Sequence, residues 1–163
     1  MKIVVDTSSL FYGFQIDGNN EYITTQSVLE EVRGKTMRKS IEMRLELLKI
    51  FEPTPSGIEE VRRAAKISGD YGQLSSTDIG LIALSKEIGA PILTNDLAMQ
   101  NVCRRIGVKY QSFGGKSIDT EIVWGYRCTG CKKEFNKFYE ECPHCGSRLK
   151  RFPKKRKPIG EST

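Results

Sequence analysis

The chain opens on KIVVD, a continuous apolar run of strand length that stops at Asp6, and TSSLFYGF follows it with polar residues suited to a turn into a helix. After the loop IDGNN and the short YIT, TQSVLEEVRGK carries Val28, Leu29 and Val32 at helical spacing and ends at Gly34, with Glu30 and Glu31 late in that helix. Residues 36 to 46 space Met37, Ile41 and Leu45 four apart and predict a second helix, while LLKIFEP before Pro53 reads as a strand. Ile58, Val61 and Ala65 repeat the helical period, and the loop GDYGQLSS places Ser75 or Ser76 to cap the next helix. That helix, from about Thr77 to Ile88, is apolar on more than one side and is therefore expected to pack deeply, with Gly89 as its stop. PILTN then reads as strand, LAMQNVCRRI as helix and VKYQSF as a last strand. Strands separated by helical segments imply parallel pairing and a three-layer α/β sandwich.

The pattern changes after SFGGKS: from Ile122 the sequence becomes aromatic, cysteine-bearing and basic, without a helical period. Residues 1–115 are expected to form the α/β domain, 116–121 a linker, 122–152 a small cysteine module and 153–163 a basic, disordered tail. Charge follows the same division. Residues 1 to 120 hold 15 Lys/Arg against 15 Asp/Glu, whereas residues 121 to 163 hold 11 against 5, so the whole net charge of +6 lies in the last quarter. Such an excess points to a polyanionic partner. No stretch approaches the roughly 18 apolar residues of a membrane span, and Met1 leads directly into KIVVD, so a cytoplasmic, soluble protein without a membrane partner is expected.

Cys128-Thr-Gly-Cys131 and Cys142-Pro-His-Cys145 are two C-x-x-C knuckles ten residues apart, the spacing of tetrahedral zinc with four thiolates. Four protein ligands close the coordination sphere, so one structural Zn²⁺ is expected, and metal binding must supply the folding energy of so short a module. His144 falls between two ligands and is not expected to be one. Cys103 stands alone in a helical pattern and reads as a small buried hydrophobe. The remaining positive charge concentrates in KRFPKKRK, which makes Lys150, Arg151, Lys154, Lys155, Arg156 and Lys157 the expected RNA-binding residues; six phosphate contacts predict a log–log salt slope of roughly 4. Phe135, Phe138, Tyr139 and Tyr126 are available to stack on bases, with at least half of them expected in the module's own core.

Asp6 and Asp96 end strands, Asp78 opens a helix, and Glu30 or Glu31 ends another. Each aspartate also fits as a helix cap. Taken together, the aspartates fall at the carboxyl edge of one parallel sheet, where groups from different strands line a single crevice. Carboxylates about 4 Å apart repel by roughly 4 kcal/mol at an effective dielectric of 20, so such a cluster implies a hard cation, Mg²⁺ or Mn²⁺, and hydrolytic chemistry. Thr7, Ser8, Ser9, Thr94 and Asn95 are placed to support metal waters or turn hydrogen bonds, and capping is assigned to Asn95.

Asp at the end of the first strand, the late acid in TTQSVLEEVRGK, SGDYGQLSSTDIGLIAL and ILTND, followed by a four-cysteine ribbon, resemble the Nob family of ribosome-assembly endonucleases, which carry a PIN domain. The resemblance extends to about residue 152. It implies a PIN-type parallel sandwich and a metal-dependent endoribonuclease that cuts precursor small-subunit rRNA to form its mature 3′ end, with the pre-ribosomal small subunit and its assembly factors as partners. The alternatives are a non-catalytic RNA-binding assembly factor and a toxin-like PIN ribonuclease acting on tRNA or mRNA. The family's acids fall on Asp6, Glu31, Asp78 and Asp96, with Asp6, Asp78 and Asp96 binding metal directly. Glu31 is preferred to Glu30 because it precedes Val32-Arg33. The long insertion that some relatives carry before ILTND is missing here.

Overall fold

The computed structural model describes residues 1–12, 14–35, 39–113 and 119–159. Five parallel strands, β1 (Lys2–Val5), β2 (Glu21–Thr24), β3 (Lys49–Ile50), β4 (Ile92–Leu93) and β5 (Tyr110–Gln111), form one sheet in the order β3-β2-β1-β4-β5. β1 lies at the centre because Ile3, Val4 and Val5 are all buried, which requires cover on both faces of the sheet. The edge strand β3 has two exposed residues, so the strand expected in LLKIFEP is real but minimal.

The helices are α1 (Thr7–Phe11), α2 (Gln26–Arg33), α3 (Lys39–Leu45), α4 (Pro55–Ser68), α5 (Ser76–Ile88) and α6 (Leu97–Arg105). The helix expected over 36–46 is described from Lys39, and Met37 lies outside the described residues. Steps from β1 to β2 to β3 run one way across the sheet and steps to β4 and β5 run the other. Right-handed crossovers then put α1, α2 and α3 on one face and α4, α5 and α6 on the opposite one, the predicted three layers. Contacts agree: α1 touches α2 and α3, while α4, α5 and α6 touch one another. α5 buries Ile79, Leu81, Ile82, Ala83 and Leu84, as expected of its wide apolar face, and stops at left-handed Gly89. No helix among the described residues is long and apolar enough to cross a membrane.

The cysteine module is a three-stranded antiparallel sheet, β7-β6-β8, built from β6 (Thr120–Cys128), β7 (Glu134–Phe135) and β8 (Leu149–Pro158). Two expectations are corrected here. β6 begins at Thr120, inside the predicted linker, whose residues 116–118 lie outside the described residues. The basic run expected to be a disordered tail is strand as far as Pro158, paired with β6 from Cys128↔Leu149 to Thr120↔Pro158; residues 160–163 lie outside the described residues. A ladder on an apolar partner strand (Ile122, Val123, Trp124) satisfies the backbone of a charged segment while its lysines remain in water.

The ribbon is docked on the α/β domain. Asn101 uses its side-chain amide like a strand edge, donating to the Ile122 carbonyl at 2.7 Å and accepting from the Ile122 N–H at 2.9 Å. The Tyr126 hydroxyl donates to the Gly69 carbonyl at 3.1 Å. Asp70, 2% exposed, accepts from Ser68 Oγ at 2.8 Å, Asn101 Nδ2 at 2.5 Å and Arg151 Nη1 at 3.2 Å, and the Arg151 guanidinium lies 4.0 Å from the Trp124 ring centroid.

Candidate active site and metal centre

Strand order reverses between β1 and β4, and in a parallel sheet the crevice at that switch point receives ligands. A cleft of about 1160 Å³ lies there, lined by Asp6, Glu31, Asp78 and Asp96 together. β1 delivers Asp6 directly: its Oδ2 accepts from Ser8 Oγ at 2.8 Å and from Thr94 Oγ1 at 2.9 Å, a tie between β1 and the end of β4. Burial pushes its pKa above the ordinary value, against the opposing pull of the Ser8 and Thr94 hydroxyls.

Asp78 is the third residue of α5 and forms a capping box with Ser75, accepting from the Ser75 N–H and hydroxyl at 2.7 Å each. Its pKa is raised first by burial, then further by the negative charges of Asp6 and Asp96. Asp78 therefore feels the charge of the carboxylates that follow β1 and cap α6, which its own capping role does not explain.

Asp96 caps α6 by accepting the Met99 N–H on Oδ1 at 2.9 Å. Asn95 does not cap; its Oδ1 accepts the Phe113 N–H at 2.9 Å and fastens the chain after β5 to the end of β4. The assignment of capping to Asn95 is thus corrected. A carboxylate has two oxygens, and Asp96 caps its helix with one while lining the cleft.

Glu31 enters the cleft from α2 and accepts from Thr7 Oγ1 at 2.9 Å, whereas Glu30 is exposed beside Gln26. Consecutive helical residues point about 100° apart, so only one of the pair reaches the crevice.

Among the described residues, the group of metal-ligating side chains whose ligand atoms all lie within 4.8 Å of one another is Cys128, Cys131, Cys142 and Cys145. Sγ atoms of Cys128 and Cys145 are 3.4 Å apart, and those of Cys131 and Cys142 are 3.7 Å apart. The Gly130 and His144 N–H groups donate to Cys128 and Cys142 sulfur at 3.3 and 3.4 Å, the knuckle geometry expected of thiolates. Gly130 is required at its place: a Cβ there would stand 2.4 Å from Ser147 Oγ. Hydrogen bonds from Ser147 hold the Cys145 thiol well below its ordinary value. Four thiolates in this arrangement fit Zn²⁺ and leave no position for substrate. His144 is exposed and its ring is not in the group, and Cys103 is fully buried with its thiol pushed up to about 12, as expected of an inert core residue.

The carboxylates form no such closed cage. A small hard ion retaining several waters is held by one or two carboxylates plus substrate phosphate, so an open acidic cleft fits Mg²⁺ or Mn²⁺ better than a fully protein-ligated ion.

The expected RNA-binding residues divide. Lys150, Lys154, Lys155, Arg156 and Lys157 are exposed along β8, Lys154 reaching Asn136 Oδ1. Arg151 is instead committed to Asp70 and Trp124. Of the aromatics, Tyr126 is buried, Phe135 and Tyr139 pack edge to face at 5.5 Å, and Phe138 is 60% exposed. Sequence reasoning missed Asp70, Asn101 and Trp124, whose contacts join segments far apart in the chain. The left-handed Gly69 before Asp70 was the one local signal.

Comparison with known proteins gives a concordant result. Residues 3–88 match the family described as the PIN domain of ribonuclease. The chain is 31% identical over 161 residues to the endoribonuclease Nob1 of Pyrococcus abyssi, covering 96% of this chain and 97% of that one. It is 32% identical over 159 residues to ribonuclease VapC1 of Thermoplasma acidophilum, covering 98% of this chain and 82% of that protein. Over 77 residues it is 32% identical to the 20S-pre-rRNA D-site endonuclease NOB1 of Saccharomyces cerevisiae, covering 46% of this chain and 17% of the yeast protein. With acids from β1, α2, α5 and α6 in one cleft and a four-cysteine ribbon behind them, the chain belongs to the PIN-domain ribonucleases, in their Nob branch.

Proposed function

We infer that this chain is an endoribonuclease that uses Mg²⁺ or Mn²⁺ to cut precursor small-subunit rRNA and generate its mature 3′ end. The observation that carries the reading is the shared cleft of Asp6, Glu31, Asp78 and Asp96, in which Asp78 is raised by burial and, beyond that, by the charges of Asp6 and Asp96. Similarity to endoribonuclease Nob1 along nearly the whole chain supports the endoribonuclease reading, and similarity over 77 residues to the yeast 20S-pre-rRNA D-site endonuclease supports the rRNA substrate.

Asp6, Asp78 and Asp96 would hold the ion, and Glu31, oriented by Thr7, would complete the site or act through water. The ion when bound supplies a water of lowered pKa and positive charge opposite the leaving oxygen. Ser8 and Thr94 fix the Asp6 carboxylate, and the Asp96 cap and the Ser75–Asp78 box fix the other two, so the ligands are set before substrate arrives. In-line attack of water on the phosphodiester leaves a 5′ phosphate and a 3′ hydroxyl. The zinc ribbon and the lysines of β8 hold RNA, with the small-subunit precursor and its assembly factors as the setting.

Similarity to VapC1 favours one competing reading, a ribonuclease acting on tRNA or mRNA. Incubation of the intact chain with an RNA spanning the 3′ end of the small-subunit rRNA, and with tRNA, separates the two. Metal-dependent cleavage at one position of the rRNA, abolished by Asp6→Asn, is expected; wild-type rates in Asp6→Asn, or faster cleavage of tRNA, would overturn the assignment.

A further inference from the structure

The cleft is larger than the roughly 300–1,000 Å³ of an ordinary small-molecule site, and its acids do not account for all of its wall. Around the end of α1, the turn that follows α2, and α3, it is lined by Phe11, Tyr12, Lys35 and Arg44. Lys35 Nζ lies 5.2 Å from the Phe11 ring centroid. Arg44 donates from Nη1 to the Leu10 carbonyl at 2.8 Å, a bond that uses one of the guanidinium's five donors and fixes the group at the cleft wall. Tyr12 is 79% exposed. Six residues beyond Asp6, it stands roughly 9 Å further along the α1 axis.

We propose that Tyr12, Lys35 and Arg44 form a subsite for the nucleotides next to the scissile phosphate, and that it takes RNA as a single strand. The inference rests on the ribonuclease reading and adds to it where the substrate lies. A cleft with four carboxylates repels a polyanion everywhere except at the bound ion, so flanking phosphates must be met by positive charge, and among the described residues the cleft carries that charge on Lys35 and Arg44. Arg44 presents a planar fork suited to phosphate oxygens, and Lys35 adds a point charge to the lining of the same cleft. An aromatic ring so exposed contributes little to packing, but its face offers a platform on which an unpaired base stacks. Bases inside a duplex are unavailable for such stacking, which gives the subsite its preference for single-stranded RNA.

The test uses the full chain with zinc bound. Fluorescence anisotropy of a labelled single-stranded oligonucleotide, in an Asp6→Asn background with Mg²⁺ present, reads affinity; cleavage by the otherwise wild-type chain reads kcat and KM. Tyr12→Ala is expected to raise Kd and KM by about 5- to 100-fold while Tyr12→Phe, which keeps the ring, stays near wild type. Lys35→Ala is expected to lower the log–log salt slope of binding by roughly 0.7. An unchanged KM and Kd in Tyr12→Ala, an equal loss in Tyr12→Phe, or equal affinity for a duplex of the same sequence would overturn the subsite. Failure of the nuclease reading shows separately, as absence of cleavage by the wild-type chain.

Discussion

Arg151 Nη1 lies 3.2 Å from Asp70 Oδ1, across 81 residues of sequence, and this pair joins the last ribbon strand to the loop behind α4. Burial raises the Asp70 pKa, and Asn101, Ser68 and Arg151 each oppose that rise. The ribbon is therefore held against the nuclease domain by a buried carboxylate that takes side-chain donors from both, rather than trailing from it on a linker.

Removing the cation should leave that carboxylate buried and unpaired. Arg151→Ala is expected to cost about 3 kcal/mol in chemical denaturation. Because the folded pKa of Asp70 lies above its unfolded value, its protonated form favours the fold: stability is present below the unfolded value and is lost as pH rises through the folded one. Without Arg151 that loss should extend to higher pH, so curves of stability against pH that run parallel for the two proteins would contradict the pairing.

Gly69 should be far more restricted than Gly89, although both are left-handed helix stops. At Gly89 (φ 63°) a Cβ meets nothing within 4 Å, whereas at Gly69 (φ 83°) it would lie 2.5 Å from Trp124 Cβ. Gly89→Ala is expected to cost about 1 kcal/mol, the conformational penalty alone. Gly69→Ala should cost clearly more and expose Trp124, read by its fluorescence; equal losses would mean the ribbon does not dock there.

The acidic cleft should trade stability for metal binding. Asp6 and Asp78 both have raised pKa values, so the metal-free protein is expected to lose stability as pH rises through those values, and Asp6→Asn to lose less. Mn²⁺ at about 100 times its Kd should restore roughly 2.7 kcal/mol to the wild type and almost nothing to Asp6→Asn, as measured by thermal unfolding.

Zinc should be essential to the ribbon. Chelation is expected to remove one equivalent of metal and the dispersed signals of Cys128–Cys145, since apparent binding free energies of about 10–16 kcal/mol are folding free energy in such modules. Retention of those signals in the metal-free protein would contradict this.

Salt dependence should count the phosphate contacts of β8. With Arg151 engaged by Asp70, five cations remain on this strand, and they are expected to contribute about 3.5 to the slope against log salt, in addition to what Lys35 and Arg44 contribute from the cleft. Replacing Lys155 or Lys157 by Ala should lower the slope by roughly 0.7 each, in filter binding to single-stranded RNA.

Much of the architecture was legible because it is written in local periodicity. Ile3-Val4-Val5 is a continuous apolar run because it lies on the central strand, α5 is apolar around most of its surface because it is buried there, and the C-x-x-C pairs carry their own geometry. The acids were legible as a set because a parallel sheet collects strand ends at one edge. Less was legible where one residue serves two roles. Asp96 caps α6 and lines the cleft, and Asn95 binds the chain after β5, an assignment that depends on where Phe113 comes to rest.

By itself the sequence determined the order of strands and helices, the metal-binding knuckles and the acids available to the cleft, since each depends on spacing within one segment. Only the tertiary structure decided how Glu31, which the family resemblance already singled out over Glu30, faces the cleft, that KRFPKKRK is a strand, and that the Arg151 guanidinium meets Asp70. Those outcomes are set by which distant groups meet: a helix's phase relative to its neighbours, a ladder offered by β6, and a buried carboxylate that needs a cation.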